Sequence, residues 1–82
     1  MEWPNWWKWE LEIGSHCVNR MDERVFHEAD LRAMLEDATG LVEQVHGTFL
    51  IKTQFGGCPW EVIVSPDLEK HVIVVVTAYP NP

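Results

Sequence analysis

The sequence predicts an α+β domain: an N-terminal strand and two short helices packed on an antiparallel four-stranded meander, in the order β-α-α-β-β-β-β. Three observations carry this prediction. Apolar and charged residues alternate at period two ahead of Gly14. Apolar stripes at helical spacing occur twice between Ser15 and Gly40. Four β-rich runs then follow, separated only by short turns.

Each element has its own signal. Trp7, Trp9, Leu11 and Ile13 alternate with Lys8, Glu10 and Glu12, which makes residues 6–13 a half-buried strand ended by Gly14. Trp7 and Trp9 fall on its inward side, with Trp3 and Trp6 outside or opposite the pattern. The Ser15 hydroxyl can then accept a hydrogen bond from a free backbone N–H and open a helix. Cys17, Val18, Met21 and Val25 form the apolar side of that helix. A second helix runs over 28–38, where Leu31, Met34, Leu35 and Ala38 repeat at i, i+3, i+4 and i+7. His27 takes its N-cap position, Glu28 and Asp30 favour its positive end, and Gly40 follows its stop.

The β half begins with a strand at 41–45 and a tight turn at His46-Gly47. A strand at 48–55 comes next, with Leu50, Lys52 and Gln54 facing one way and Phe49, Ile51 and Thr53 the other. Gly56-Gly57-Cys58-Pro59 is a loop before a strand at 60–65, where Trp60 reads as core. The last strand, 71–79, is nearly continuous Val, Ile and Thr and should be central. Strict alternation would put Ile73, Val75, Thr77 and Tyr79 on one of its faces.

At 82 residues the chain is one small domain, with five Trp to enlarge its core. The longest apolar run, 72–76, is far too short to span a membrane, and the first residues lack the pattern of a secretory signal. A cytoplasmic protein without a membrane partner is expected. Cys17 and Cys58 are far apart and form no zinc-ligand spacing, so two reduced thiols in or near the core are expected and no metal or cofactor is called for. The net charge of −7 repels nucleic acid at long range, so any nucleic-acid contact needs a local basic patch.

Such a patch is suggested by HCVNRMDER at 16–24. His16, Arg20 and Arg24 recur every four residues and share one flank of the first helix. They contain two of the chain's six Lys and Arg. An ordinary solvated helix face, paired with Asp22, Glu23, Glu28 or Glu36, accounts for the row without any function. An imidazole beside two guanidinium forks also suits a phosphate.

The run from His16 through Leu35, followed by a meander ending VVVTAY, resembles a family of small bacterial proteins of uncharacterised function similar to the RelE and BrnT ribonuclease toxins. The resemblance covers about residues 10–79. It implies a helical pair on an antiparallel sheet and metal-independent RNA cleavage, or RNA binding in a member without activity. It assigns His16, Arg20 and Arg24 to the helix positions, Lys52 to the basic position on a meander strand, and Thr77 and Tyr79 to the hydroxyl positions of the last strand. In such toxins these groups hold the RNA phosphate and assist attack by the ribose 2′-hydroxyl. The chain departs from the pattern in its acidity and in carrying His27 where Ser or Thr is usual.

Two functions are thus expected: RNA cleavage or binding, with RNA or the ribosome as target and an antitoxin-like protein as partner, or a non-enzymatic interaction module. The module would use the Trp-rich end or a sheet edge to bind a protein partner or a second copy in a homodimer.

Overall fold

The computed structural model describes residues 4–14 and 27–81. A 3-10 turn at Asn5–Lys8 leads into β1 (Glu10–Ile13). Helix α1 (Glu28–Glu36) precedes β2 (Gly40–Glu43), β3 (Phe49–Phe55), β4 (Cys58–Asp67) and β5 (Val72–Pro80). The strands form one sheet in the order β1-β5-β4-β3-β2. Strands β2 to β5 are antiparallel to their neighbours in sequence, whereas β1 runs parallel to β5, with Leu11 opposite Ile73 and Ile13 opposite Val75.

The expected four-stranded antiparallel meander carrying two helices is therefore corrected to a mixed five-stranded sheet, with one α-helix among the described residues. The expected first helix, opening at Ser15, lies outside them. The correction has a physical basis. Period-two alternation says that one face of residues 10–13 is buried, but it does not say which strand is the neighbour. Strand β5 has apolar side chains on both faces, and β1 satisfies the backbone groups along its outer edge. The parallel sense is available because a long crossover separates the two strands in sequence.

Residues 5–8 are also not strand. Pro4 starts a turn in which Trp7 N–H donates to the Pro4 carbonyl and Trp9 N–H to the Trp6 carbonyl, both at 3.0 Å. The turn rotates the indoles away from strict alternation. Trp6, expected outside the pattern, is only 7% exposed and packs against Phe49 with ring centroids 5.0 Å apart. Trp7 and Trp9 are half-buried at the margin of the core.

Helix α1 buries Leu31, Met34 and Leu35, the stripe read from sequence, and stops two residues short of Ala38. His27 is its N-cap with extended backbone, and the Asp30 carboxylate accepts the His27 N–H at 2.8 Å. The buried Thr53 hydroxyl donates to the Met34 carbonyl. That bond satisfies a carbonyl in the last turn of α1 and ties the helix to β3. Opposite the helix, the core takes Ile51 from β3, Trp60, Val62 and Val64 from β4, and Ile73, Val75 and Ala78 from β5.

The hairpins follow the right-handed sheet twist through left-handed residues. Gly56 and Gly57 have φ 60° and 80° and form a two-residue loop between paired Phe55 and Cys58. His46 and Gly47 have φ 61° and 72°. A histidine in this region carries a steric cost that Asn or Gly largely escapes.

Strand β5 contains an irregularity that positions the candidate site. Ile63 pairs with Thr77 and Val64 with Val75, so Val76 is an extra residue in the ladder. Such a bulge reverses the side-chain parity beyond it. Ile73 and Val75 face α1, as does Ala78 after the bulge. Thr77 and Tyr79 therefore do not share a face with Ile73 and Val75, which corrects the strict-alternation reading.

Two substitutions should move stability in opposite directions. Thr53→Val strips the Met34 carbonyl of its partner and should lower the unfolding free energy by about 1–2 kcal/mol. His46→Asn should raise it by up to about 1 kcal/mol. Urea titration monitored by circular dichroism measures both, and an unchanged midpoint in either would contradict its argument.

Candidate functional site

The sheet face away from α1 collects the polar strand residues. Cross-strand partners share a face and hold their Cβ atoms roughly 4.5–5.5 Å apart. Since Trp60, Val62 and Val64 point toward α1, the intervening Glu61, Ile63 and Ser65 point away. Glu61 is opposite Lys52 of β3 on one side and opposite Tyr79 of β5 on the other. An ammonium, a carboxylate and a phenol thus stand in one row across three strands. The adjacent row is Leu50, Ile63 and Thr77.

Of the residues expected to form the site, Lys52, Thr77 and Tyr79 are thus brought to one face, the last two by the Val76 bulge. His16, Arg20 and Arg24 lie outside the described residues. Glu61 was missed by sequence reasoning. Its signal is the strand alternation of Trp60, Val62 and Val64 around it, but its place between Lys52 and Tyr79 needs the register of two hairpins.

The row is locally shaped. A Cβ at Gly40 would lie 3.6 to 3.9 Å from the Lys52 Cβ, Cδ and Cγ, so the Lys52 stem rests over the bare backbone of β2. The stem is thus supported on the β2 side, and Lys52 is exposed. Tyr79 is half-buried. Burial is the first cause that lifts its phenol above the ordinary 10.0, followed by the charge of Glu61 and by hydrogen bonding to that carboxylate. Tyr79 is therefore a neutral donor across the physiological range. The rest of the face is anionic and aliphatic, with Glu10 and Glu12 of β1 and Asp67 of β4 around Leu50, Ile63 and Val74. Among the described residues, the chemistry on this face belongs to the Lys52 ammonium, several carboxylates and the hydroxyls of Ser65, Thr77 and Tyr79.

Cys58 is free but exposed at the start of β4, not in the core; Cys17 lies outside the described residues. Trp60 is core, as expected. Among the described residues no His, Cys, Asp and Glu grouping could hold a metal ion, and no helix is long and apolar enough to cross a membrane.

A family described as a domain of unknown function, DUF4258, matches residues 13–80. The chain belongs to the DUF4258 family. The match runs from the last residue of β1 to the last of β5, so Lys52, Glu61, Thr77 and Tyr79 all lie in the DUF4258 domain. The tryptophans at 3, 6, 7 and 9 precede it. No curated protein and no solved structure matches the chain significantly.

Tyr79 is the chain's single tyrosine, so alkaline absorbance titration reads it directly. The midpoint should lie above 10.0, and Glu61→Gln should bring it down while burial keeps it above that value. Because folding raises this pKa, Tyr79's contribution to stability is complete below pH 10.0 and is lost as pH rises through the folded value. A midpoint that Glu61→Gln leaves unmoved would show that the carboxylate does not face the phenol.

Proposed function

We propose that this DUF4258 domain is a RelE/BrnT-like small domain that acts on RNA, with the open sheet face as its platform and the Lys52, Glu61, Tyr79 row as its working part. The supporting observation is that row: residues from three strands set a cation, a carboxylate and a neutral phenol side by side.

The chemistry follows from the groups. Cleavage of an RNA strand without metal forms a bond from the 2′-oxygen to phosphorus and breaks the bond to the 5′-oxygen. Glu61 is the group able to accept the 2′-hydroxyl proton. The Lys52 ammonium offsets charge gathering on the phosphate oxygens, and the hydroxyls of Tyr79 and Thr77 donate hydrogen bonds to them. The departing 5′-oxygen takes a proton. The imidazole of His16 is the candidate donor from the sequence, with Arg20 and Arg24 as phosphate clamps. The acidic body makes RNA binding weak and strongly salt-sensitive.

The interaction-module reading has its own supporting observation. Val42 is 46% exposed beside half-buried Leu50, Ile63 and Val74 on the same face, an apolar band of the kind that protein partners cover. Trp6 no longer serves that reading, because it is core.

Incubation of the purified protein with total RNA and with ribosomes separates the two. Under the RNA reading, discrete cleavage products appear, and Glu61→Gln slows their formation by about 10²–10⁴-fold, with a smaller loss for Lys52→Ala. Cleavage that persists unchanged in Glu61→Gln, Lys52→Ala and His16→Ala, or no cleavage and no binding at low salt, removes the RNA reading and leaves the interaction module.

A further inference from the structure

On the helix-bearing side of the sheet, the N-terminal 3-10 turn and α1 enclose a second concavity. It has a volume of about 290 Å³ and is lined by Trp7, Lys8, Arg32, Leu35 and Glu36. We propose that this cavity binds a nucleoside monophosphate, its base against the Trp7 indole and its phosphate between Arg32 and Lys8. The proposal is independent of the RNA reading of the open face.

Charge is the first argument. The chain carries 13 acidic residues against six Lys and Arg, yet two of its cations meet here against one carboxylate. Among the described residues, neither Lys8 nor Arg32 sits in an ion pair. Arg32 is half-buried at the cavity wall, and among the described residues no carboxylate pairs with it. An anion entering the cavity supplies that partner, and a planar guanidinium suits the paired oxygens of a phosphate.

Shape is the second argument. The 3-10 turn is closed by two backbone hydrogen bonds and anchored by buried Trp6, whose ring lies 5.9 Å from Trp7. The Trp7 indole is therefore a fixed wall. Buried Leu35 adds an apolar surface, and the Glu36 carboxylate can accept N–H groups of a base. A base stacked on an aromatic ring gains about 1–3 kcal/mol. The volume lies at the lower end of small-molecule sites, roughly 300–1,000 Å³, and suits one nucleotide rather than a strand. Inorganic phosphate would use only the cations and a free nucleoside only the indole and the carboxylate.

The test is a heteronuclear NMR titration of the full chain with AMP, adenosine and inorganic phosphate, read at the Trp7 indole N–H and the Arg32 side chain. AMP should give saturable shifts at both, with adenosine and phosphate each weaker by about tenfold or more. Arg32→Gln should weaken AMP binding by about tenfold, while Arg32→Lys, which keeps the charge and loses the fork, should fall between. Unchanged amide spectra elsewhere establish that the variants are folded. Absence of saturation with AMP, equal affinity for phosphate alone, or AMP affinity unchanged in Arg32→Gln would overturn the proposal. Shifts confined to Lys52 and Tyr79 would do the same and would assign the nucleotide to the open face.

Discussion

One extra residue, Val76, decides what each face of the sheet carries. Strand β5 is held on both sides, by β1 in parallel and by β4 in antiparallel pairing. It cannot slide to absorb a parity change at its end. The bulge between its two halves lets Ile73 and Val75 stay in the core while Ala78 re-enters it three residues later. Thr77 and Tyr79 are turned outward as a result. Without the bulge, a tyrosine and a threonine would compete for the space under α1 that Ala78 fills with a single methyl group.

The two sides of the sheet then solve different problems. The α1 side is a dry layer whose buried polar side chain, Thr53, closes a helix-end carbonyl. In so small a domain a helix of nine residues has little stability of its own, and it stays folded because Leu31, Met34 and Leu35 pack on the sheet. The open side carries charge and hydroxyls on a rigid ladder. Precision there comes from strand pairing: the register of β3, β4 and β5 sets Lys52, Glu61 and Tyr79 side by side, and the Glu61 carboxylate then accepts from the Tyr79 phenol.

The acidic composition gives the few cations their meaning. Lys52 packs its stem beside Gly40 of β2 and carries its charge on an otherwise anionic face. Lys8 and Arg32 come from separate elements and meet at one cavity. Cations spread over a body of charge −7 would be screened by neighbouring carboxylates. Among the described residues these groups form no ion pair, and they stand on both sides of the sheet.

Residue order alone determined much of the framework. The stripe of Leu31, Met34 and Leu35, the N-cap at His27, the turns at His46-Gly47 and Gly56-Gly57, and the strands of the β half are local signals, set by periodicities of 3.6 and 2 and by backbone freedom at glycine. The RelE/BrnT resemblance implied a site of His16, Arg20, Arg24, Lys52, Thr77 and Tyr79, of which Lys52, Thr77 and Tyr79 share one sheet face and the first three lie outside the described residues. What pairs with what was decided only in three dimensions. Strand β1 found β5, Trp6 rather than Trp7 entered the core, Val76 reversed the parity of the last strand, and Glu61 came to stand between Lys52 and Tyr79. Alternation tells a strand that it has an inside and an outside. The neighbour, the register and the place where a ladder takes an extra residue depend on how all the layers fill one core, and no short window of sequence contains that information.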